Sequence, residues 1–182
     1  MGGSQLVMVR PNLDDLPEEV KLPPGYGIRT YRPGDEAAWA YIVSRTIGGS
    51  DDPDRCRHEL IDKPIFSPDR LFFATYRGMP VGTICAWQRP SDPEGVGYVH
   101  MLGVLEEHRG KRLGYMLLLK ALQWFKEHGF KSALLHTDDF RSPAIKLYLK
   151  FGFIPVFADE THPQRWRIIS EKLGIPIPGV QG

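Results

Sequence analysis

A chain of 182 residues, 42% of them hydrophobic, is long enough for one domain with a full core and too short for two ordinary ones. Its 23 basic and 22 acidic side chains leave a net charge of +1, which removes any global electrostatic case for nucleic acid or an anionic membrane as partner. No apolar stretch approaches the ~20 residues that cross a bilayer, residues 1–10 lack a signal-peptide core, and Cys56 and Cys85 have neither metal-ligand nor redox spacing. The expectation is a soluble, reduced, cytoplasmic protein.

Residues 1–24 mix Gly, Asn, Asp and Pro without sustained periodicity and read as an extended arm, with Leu13 and Leu16 packing on the body. Residues 26–31 alternate as a short strand with Ile28 inward. Pro33-Gly34-Asp35 opens a helix to about Ile47, carrying Ala38, Tyr41 and Ile42 at helical spacing. Asp52-Pro53 starts a second short helix to about Ile61; the acidic run there caps a helix and does not bind calcium, because the loop glycine and terminal glutamate are missing. Residues 70–76 and 81–87 predict a hairpin about Arg77-Gly78-Met79-Pro80. A strand 96–104, a helix 113–125, a strand 132–137, a helix 142–151 begun by Ser142-Pro143 and a strand 153–157 continue an α/β alternation with mixed strand directions. Thr161-His162-Pro163, followed by Trp166, Ile169 and Leu173, predicts a terminal helix. The organisation expected is an arm over 1–24, one domain over 25–158, and a helix and tail over 159–182 packed on that domain. The six histidines are scattered and propose no zinc site.

Between the strand ending at Val104 and the next helix stands Arg109-Gly110-Lys111-Arg112-Leu113-Gly114. A basic, glycine-bearing turn that delivers the chain into a helix suits an anion. The first N–H groups of a helix lack partners, the peptide dipoles add partial positive charge, and a diphosphate satisfies both. The turn does not fit a nucleoside-triphosphate loop, because Gly114 is followed by Tyr115 and not by Lys and Ser or Thr. It does not fit the dinucleotide fingerprint either, whose first two glycines would replace Arg109 and Lys111.

The turn resembles the coenzyme A pyrophosphate loop of the GNAT (Gcn5-related) N-acetyltransferases: Gln or Arg, two residues, Gly, one residue, then Gly or Ala. Arg109 and Gly114 match its ends, and Arg112 stands where the middle glycine is usual. Downstream, Ala144 to Phe153 resembles the family segment of Ala, three residues, Tyr, three residues, then Gly-Phe. The resemblance covers about residues 27–157; residues 99–104 with Thr137 to Arg141 look most like mycothiol synthase relatives.

The resemblance implies a single-domain GNAT fold, with a central mixed, mostly antiparallel sheet splayed between its fourth and fifth strands and helices on both faces. It also implies acetyl-CoA as co-substrate without a metal, and attack by an amine on the thioester within a ternary complex. Backbone groups of Leu102, Gly103 and Val104 would pair with pantetheine, the six-residue turn would take the diphosphate, and Thr137, Arg141 and Tyr148 would complete the donor side, with Arg141 where asparagine is usual. Tyr148 is then the candidate acid for the departing thiolate. Many members carry a glutamate base where this chain has Tyr98. His100, on the same strand face, is a candidate base or a structural histidine. Asp138 and Asp139 could hold an ammonium substrate or cap a turn. The acceptor expected is a small-molecule amine. A non-catalytic acyl-CoA module and a protein N-acetyltransferase are the alternatives, and a homodimer is plausible.

Overall fold

The structure, a computed structural model, describes residues 4–180. Its strands are β1 (Leu6–Arg10), β2 (Tyr26–Thr30), β3 (Leu71–Tyr76), β4 (Met79–Trp87), β5 (Val96–Val104), β6 (Ser132–Thr137) and β7 (Ile154–Val156). The helices are α1 (Glu36–Thr46), α2 (Pro53–Cys56), α3 (Leu113–Glu127), α4 (Ser142–Lys150) and α5 (His162–Leu173), and α2 runs on into a wide turn, Arg57–Ile61. All seven strands join one sheet in the order β2-β3-β4-β5-β6-β1-β7, antiparallel except for β5 with β6.

Local chemistry accounts for most boundaries. Asp52 caps α2 through a side-chain bond from the Asp54 N–H at 2.9 Å, with Pro53 at the first helical position. The β3–β4 hairpin turns on Arg77 and Gly78, both at positive φ, as a two-residue hairpin requires; β4 therefore starts at Met79, earlier than the sequence pattern suggests. Helix α1 buries Trp39, Ile42 and Val43. Tyr41, expected on the inner face, is 47% exposed, because the inward stripe of α1 is centred on Trp39. At α4 the N-cap position falls to Arg141, one residue before the expected Ser142, and Pro143 stays in the first turn.

One correction concerns the arm. Residues 6–10 form β1, which lies inside the sheet and pairs with β6 from Leu6↔Thr137 to Arg10↔Ala133 and with β7 from Val7↔Val156 to Val9↔Ile154. Leu6 and Met8 are fully buried. Leu13 and Leu16 then pack on the body as expected. After β7 the chain turns into α5 and returns no further strand among the described residues, so β1 occupies the place between β6 and β7.

Two cores flank the sheet. The larger packs α3 and α4, with Trp166 and Ile169 of α5, against it; the smaller packs α1 and the α2 segment against Leu71, Phe73, Cys85 and Trp87.

Candidate functional site

The parallel ladder between β5 and β6 lasts three residues, Val96↔Ser132 to Tyr98↔Leu134. Beyond it the strands separate, so residues 99–104 leave one edge unpaired. The cause lies partly in β5 itself. Opposite β4, Cys85 pairs with His100 and Thr83 with Gly103, so Met101 and Leu102 stand against Ile84 alone. This is a β-bulge, with Met101 at φ 55, and a bulge bends its strand and strengthens the local twist. Past the bulge, Leu105 N–H donates to Val81 O at 2.9 Å across β4. Strand alternation then turns the backbone groups of Leu102 and Val104 to the open side.

A cavity of about 520 Å³ occupies that opening, lined by Leu102, Gly103 and Val104 of β5, by Arg109, Gly110, Arg112, Leu113 and Gly114 of the basic turn, and by Arg141 and Ala144 of α4. Of the expected donor-side residues, Lys111, Thr137 and Tyr148 are not among its walls. Arg112 stands at the N-cap of α3 with φ 61 and ψ 18, so it holds the left-handed conformation that a glycine would take freely. Helix α3 has no side-chain cap and no acidic residue in its first turn, and its ladder opens with Met116 N–H donating to Arg112 O at 3.1 Å. The N–H groups of Leu113, Gly114 and Tyr115 thus lack intrahelical acceptors beside the cavity. Gly114 also faces α4, where an added Cβ would meet Leu147 at 3.6 Å.

Arginines tie the sheet edge to this turn and to the start of α4. Arg141 Nη2 donates to Leu102 O and Arg109 Nε to Val104 O, each at 3.3 Å. Neither is in an ion pair among the described residues. Tyr148 is 3% exposed on the face of α4 that packs under the sheet. Burial pushes its phenol up to about 12, with the charge of Arg141 working in the opposite direction. Thr137, at the end of β6, is buried and its hydroxyl has no hydrogen-bond partner, a polar group left unused by the fold.

Tyr98 and His100 lie on the other face, with α1 and α2. Their rings are 5.6 Å apart, and His100 stacks on Trp87 at 6.3 Å. Burial holds the His100 imidazole down at about 4, so it is neutral through the physiological range and is a weaker base than its residue type suggests. Sequence reasoning missed the group around it. Arg89 lies over the Tyr98 ring at 4.0 Å, pairs with Asp92 at 2.6 Å and approaches His136 Nε2 at 3.4 Å. Trp87, Arg89, Asp92 and Glu59 line a second cavity of about 660 Å³. The loop carrying Arg89 has no periodicity, so only the meeting of β4, β5 and β6 reveals the group.

The expected carboxylate pair is separated by its partners. Asp139 is engaged by Arg165 of α5, with Nε at 3.0 Å, and Asp138 accepts from Gln5 Nε2 at 3.4 Å. Both help to attach β1 and α5, so an ammonium substrate would have to share them with Gln5 and Arg165.

The family model for "Acetyltransferase (GNAT) family" matches residues 36–153. A mycothiol acetyltransferase of Thermomonospora curvata is 34% identical over 155 residues, 81% of this chain and 50% of that protein. A mycothiol acetyltransferase of Streptomyces bingchenggensis is 34% identical over 146 residues, 76% and 46%. The chain therefore spans about half the length of these curated relatives. Among solved structures, a GCN5-related N-acetyltransferase from Sphaerobacter thermophilus is similar with a TM-score of 0.65 at 22% identity, over 85% of this chain and 50% of that one. AAC(6')-Iy in complex with the bisubstrate analogue CoA-S-monomethyl-acetylneamine is similar with a TM-score of 0.56 at 17% identity, over 70% and 89%.

Proposed function

The chain belongs to the acetyltransferase (GNAT) family, and on that premise we propose that it moves an acetyl group from acetyl-CoA to the primary amine of a small molecule by direct attack in a ternary complex. The observation that carries this reading is the cavity where the uncapped start of α3 meets the unpaired edge of β5. One end suits a diphosphate and the other suits the amides of an extended arm, which would add to β5 much as a strand does.

The residues divide the work. The free N–H groups of α3, with Gly110 allowing close approach at φ 74, take the diphosphate; the edge of Leu102 and Val104 aligns the pantetheine. Thr137 offers a further hydroxyl at the end of β6, and Lys111 adds charge beside the turn. As the amine nitrogen bonds to the carbonyl carbon, the carbon–sulfur bond breaks and its electron pair goes to sulfur. Tyr148 gives its hydroxyl proton to that thiolate. A phenol near 12 stays protonated at neutral pH and so remains a donor. Transfer to a thiolate of ordinary pKa, ~8.5, runs uphill by roughly three to four units, and burial raises the thiol as well, which narrows the gap.

The amine enters from the opposite face through the second cavity, whose wall residue Trp87 stacks on His100. There the His100 imidazole, neutral but held down at about 4, takes the amine proton only as the nitrogen bonds to the carbonyl carbon and its N–H turns acidic, and the Arg89–Asp92 pair lines the pocket, with Arg89 lying over the Tyr98 ring. The relatives named mycothiol acetyltransferase support a small-molecule acceptor. Arg112 in the glycine position, Arg141 in the asparagine position and Tyr98 in the glutamate position favour a second reading, an acyl-CoA binding module without transfer.

Thiol release from acetyl-CoA across an amine panel separates the two. Turnover is expected, and Tyr148→Phe should lower kcat at least tenfold with CoA affinity kept. An unchanged kcat removes Tyr148 from the reaction, and tight binding without transfer to any amine leaves the binding module.

A further inference from the structure

Resting on acetyl-CoA as donor, we propose that Arg109 and Arg141 set donor specificity: they hold the Val104 and Leu102 carbonyls against short pantetheine thioesters and release them to a donor that carries a diphosphate. Leu102 and Val104 are alternate residues of one strand, on the edge turned away from β4. These are the groups that an added strand-like arm must use. Each carbonyl already accepts a bond from a guanidinium, one arriving from the N-cap of α4 and the other from the turn before α3. An incoming pantetheine amide competes with them directly.

The competition is decided by charge. Both bonds are long, 3.3 Å, and both run from a full positive charge to a neutral oxygen. Neither arginine spends that charge on a carboxylate among the described residues. Both line the cavity at which the α3 N–H groups point. A diphosphate placed there offers each guanidinium a charged, bidentate acceptor, roughly twice as strong as the neutral carbonyl. The arginines then exchange partners, and the carbonyls become available to the same ligand's pantetheine arm. A donor with pantetheine alone supplies no such exchange and must displace two guanidinium bonds. One pair of side chains thereby ties recognition of the distant diphosphate to access at the reacting end.

Simple diphosphate binding predicts that removing the arginines weakens CoA and leaves pantetheine alone. The exchange predicts opposite signs. Titrations of wild type and Arg109→Ala/Arg141→Ala with CoA, and separately with pantetheine followed by ligand-observed NMR, should show CoA weakened at least tenfold and pantetheine tightened at least threefold. If the double variant does not fold, Arg109→Ala and Arg141→Ala singly carry the same comparison with smaller shifts. Wild-type binding of CoA together with a pantetheine affinity that stays or falls in the variants overturns this inference alone. A wild type that binds no CoA overturns the donor assignment itself, and this inference with it.

Discussion

Burial takes the His100 imidazole from its usual 6.5 down to about 4, the nearby positive charges of Arg89 and Arg55 adding to the effect and Glu59 opposing it. Between those two pH values the unfolded chain binds a proton that the folded chain refuses. The contribution to stability is therefore complete above about 6.5 and is lost as the pH falls toward 4. Urea midpoints measured from pH 7 to pH 4 should fall less steeply for His100→Gln than for wild type, and identical slopes would refute the assignment. The residue types at the site were readable from the sequence, but their electrostatic state was not. His100 reads as a base near neutral pH until Trp87 and Tyr98 are seen packed beside it. Asp138 and Asp139 read as a substrate-holding pair or a turn cap, and the partners Gln5 and Arg165, distant in sequence, were not visible. The turn 109–114 was legible because its chemistry is local, down to Arg112, whose left-handed backbone lets it stand where the family has glycine.

At the level of elements, the bulged stretch of β5 beside the gap crosses close to α1. Gly103 faces the last turn of that helix, where an added Cβ would lie 2.9 Å from the Thr46 Cβ and still nearer its hydroxyl. Gly103→Ala must push α1 off the bulge and should cost about 1–3 kcal/mol in urea unfolding. The same change should weaken CoA, since Gly103 and Thr46 both line the cavity. An unchanged stability would mean that α1 yields freely. The boundaries of β5 and β6 match the sequence reading to the residue because hydrophobic runs there are bounded by turns. Strand β1 escaped it. Leu6 to Arg10 is only five residues, and the partners that make it a strand, β6 and β7, lie more than 120 positions away. Val9→Pro tests this placement. It puts a ring and a missing N–H into a strand paired on both sides, and should cost ~3 kcal/mol or more by thermal or urea unfolding. A loss below ~1 kcal/mol would mark β1 as an accessory.

For the molecule as a whole, the first and last described segments are fastened together beside the sheet. Arg165 of α5 donates to Ser4 O at 2.7 Å, Ser4 Oγ lies 3.1 Å from the buried His162, and Arg10 gives its guanidinium to carbonyls of Phe151 and Asp14. The α/β order after β1 could be read along the chain from the period of each helix and strand, and the fold class followed from the family resemblance. The closure could not, because it is a pairing between distant ends.

That pairing has a price in time. A ribosome adding ~5–20 residues per second delivers Leu6 to Arg10 long before the segments that flank it, so this apolar ribbon waits many seconds with both hydrogen-bonding edges unfilled. Nascent chains stopped short of β7 must carry at least one edge of it exposed, as a target for holdases and for stray strands.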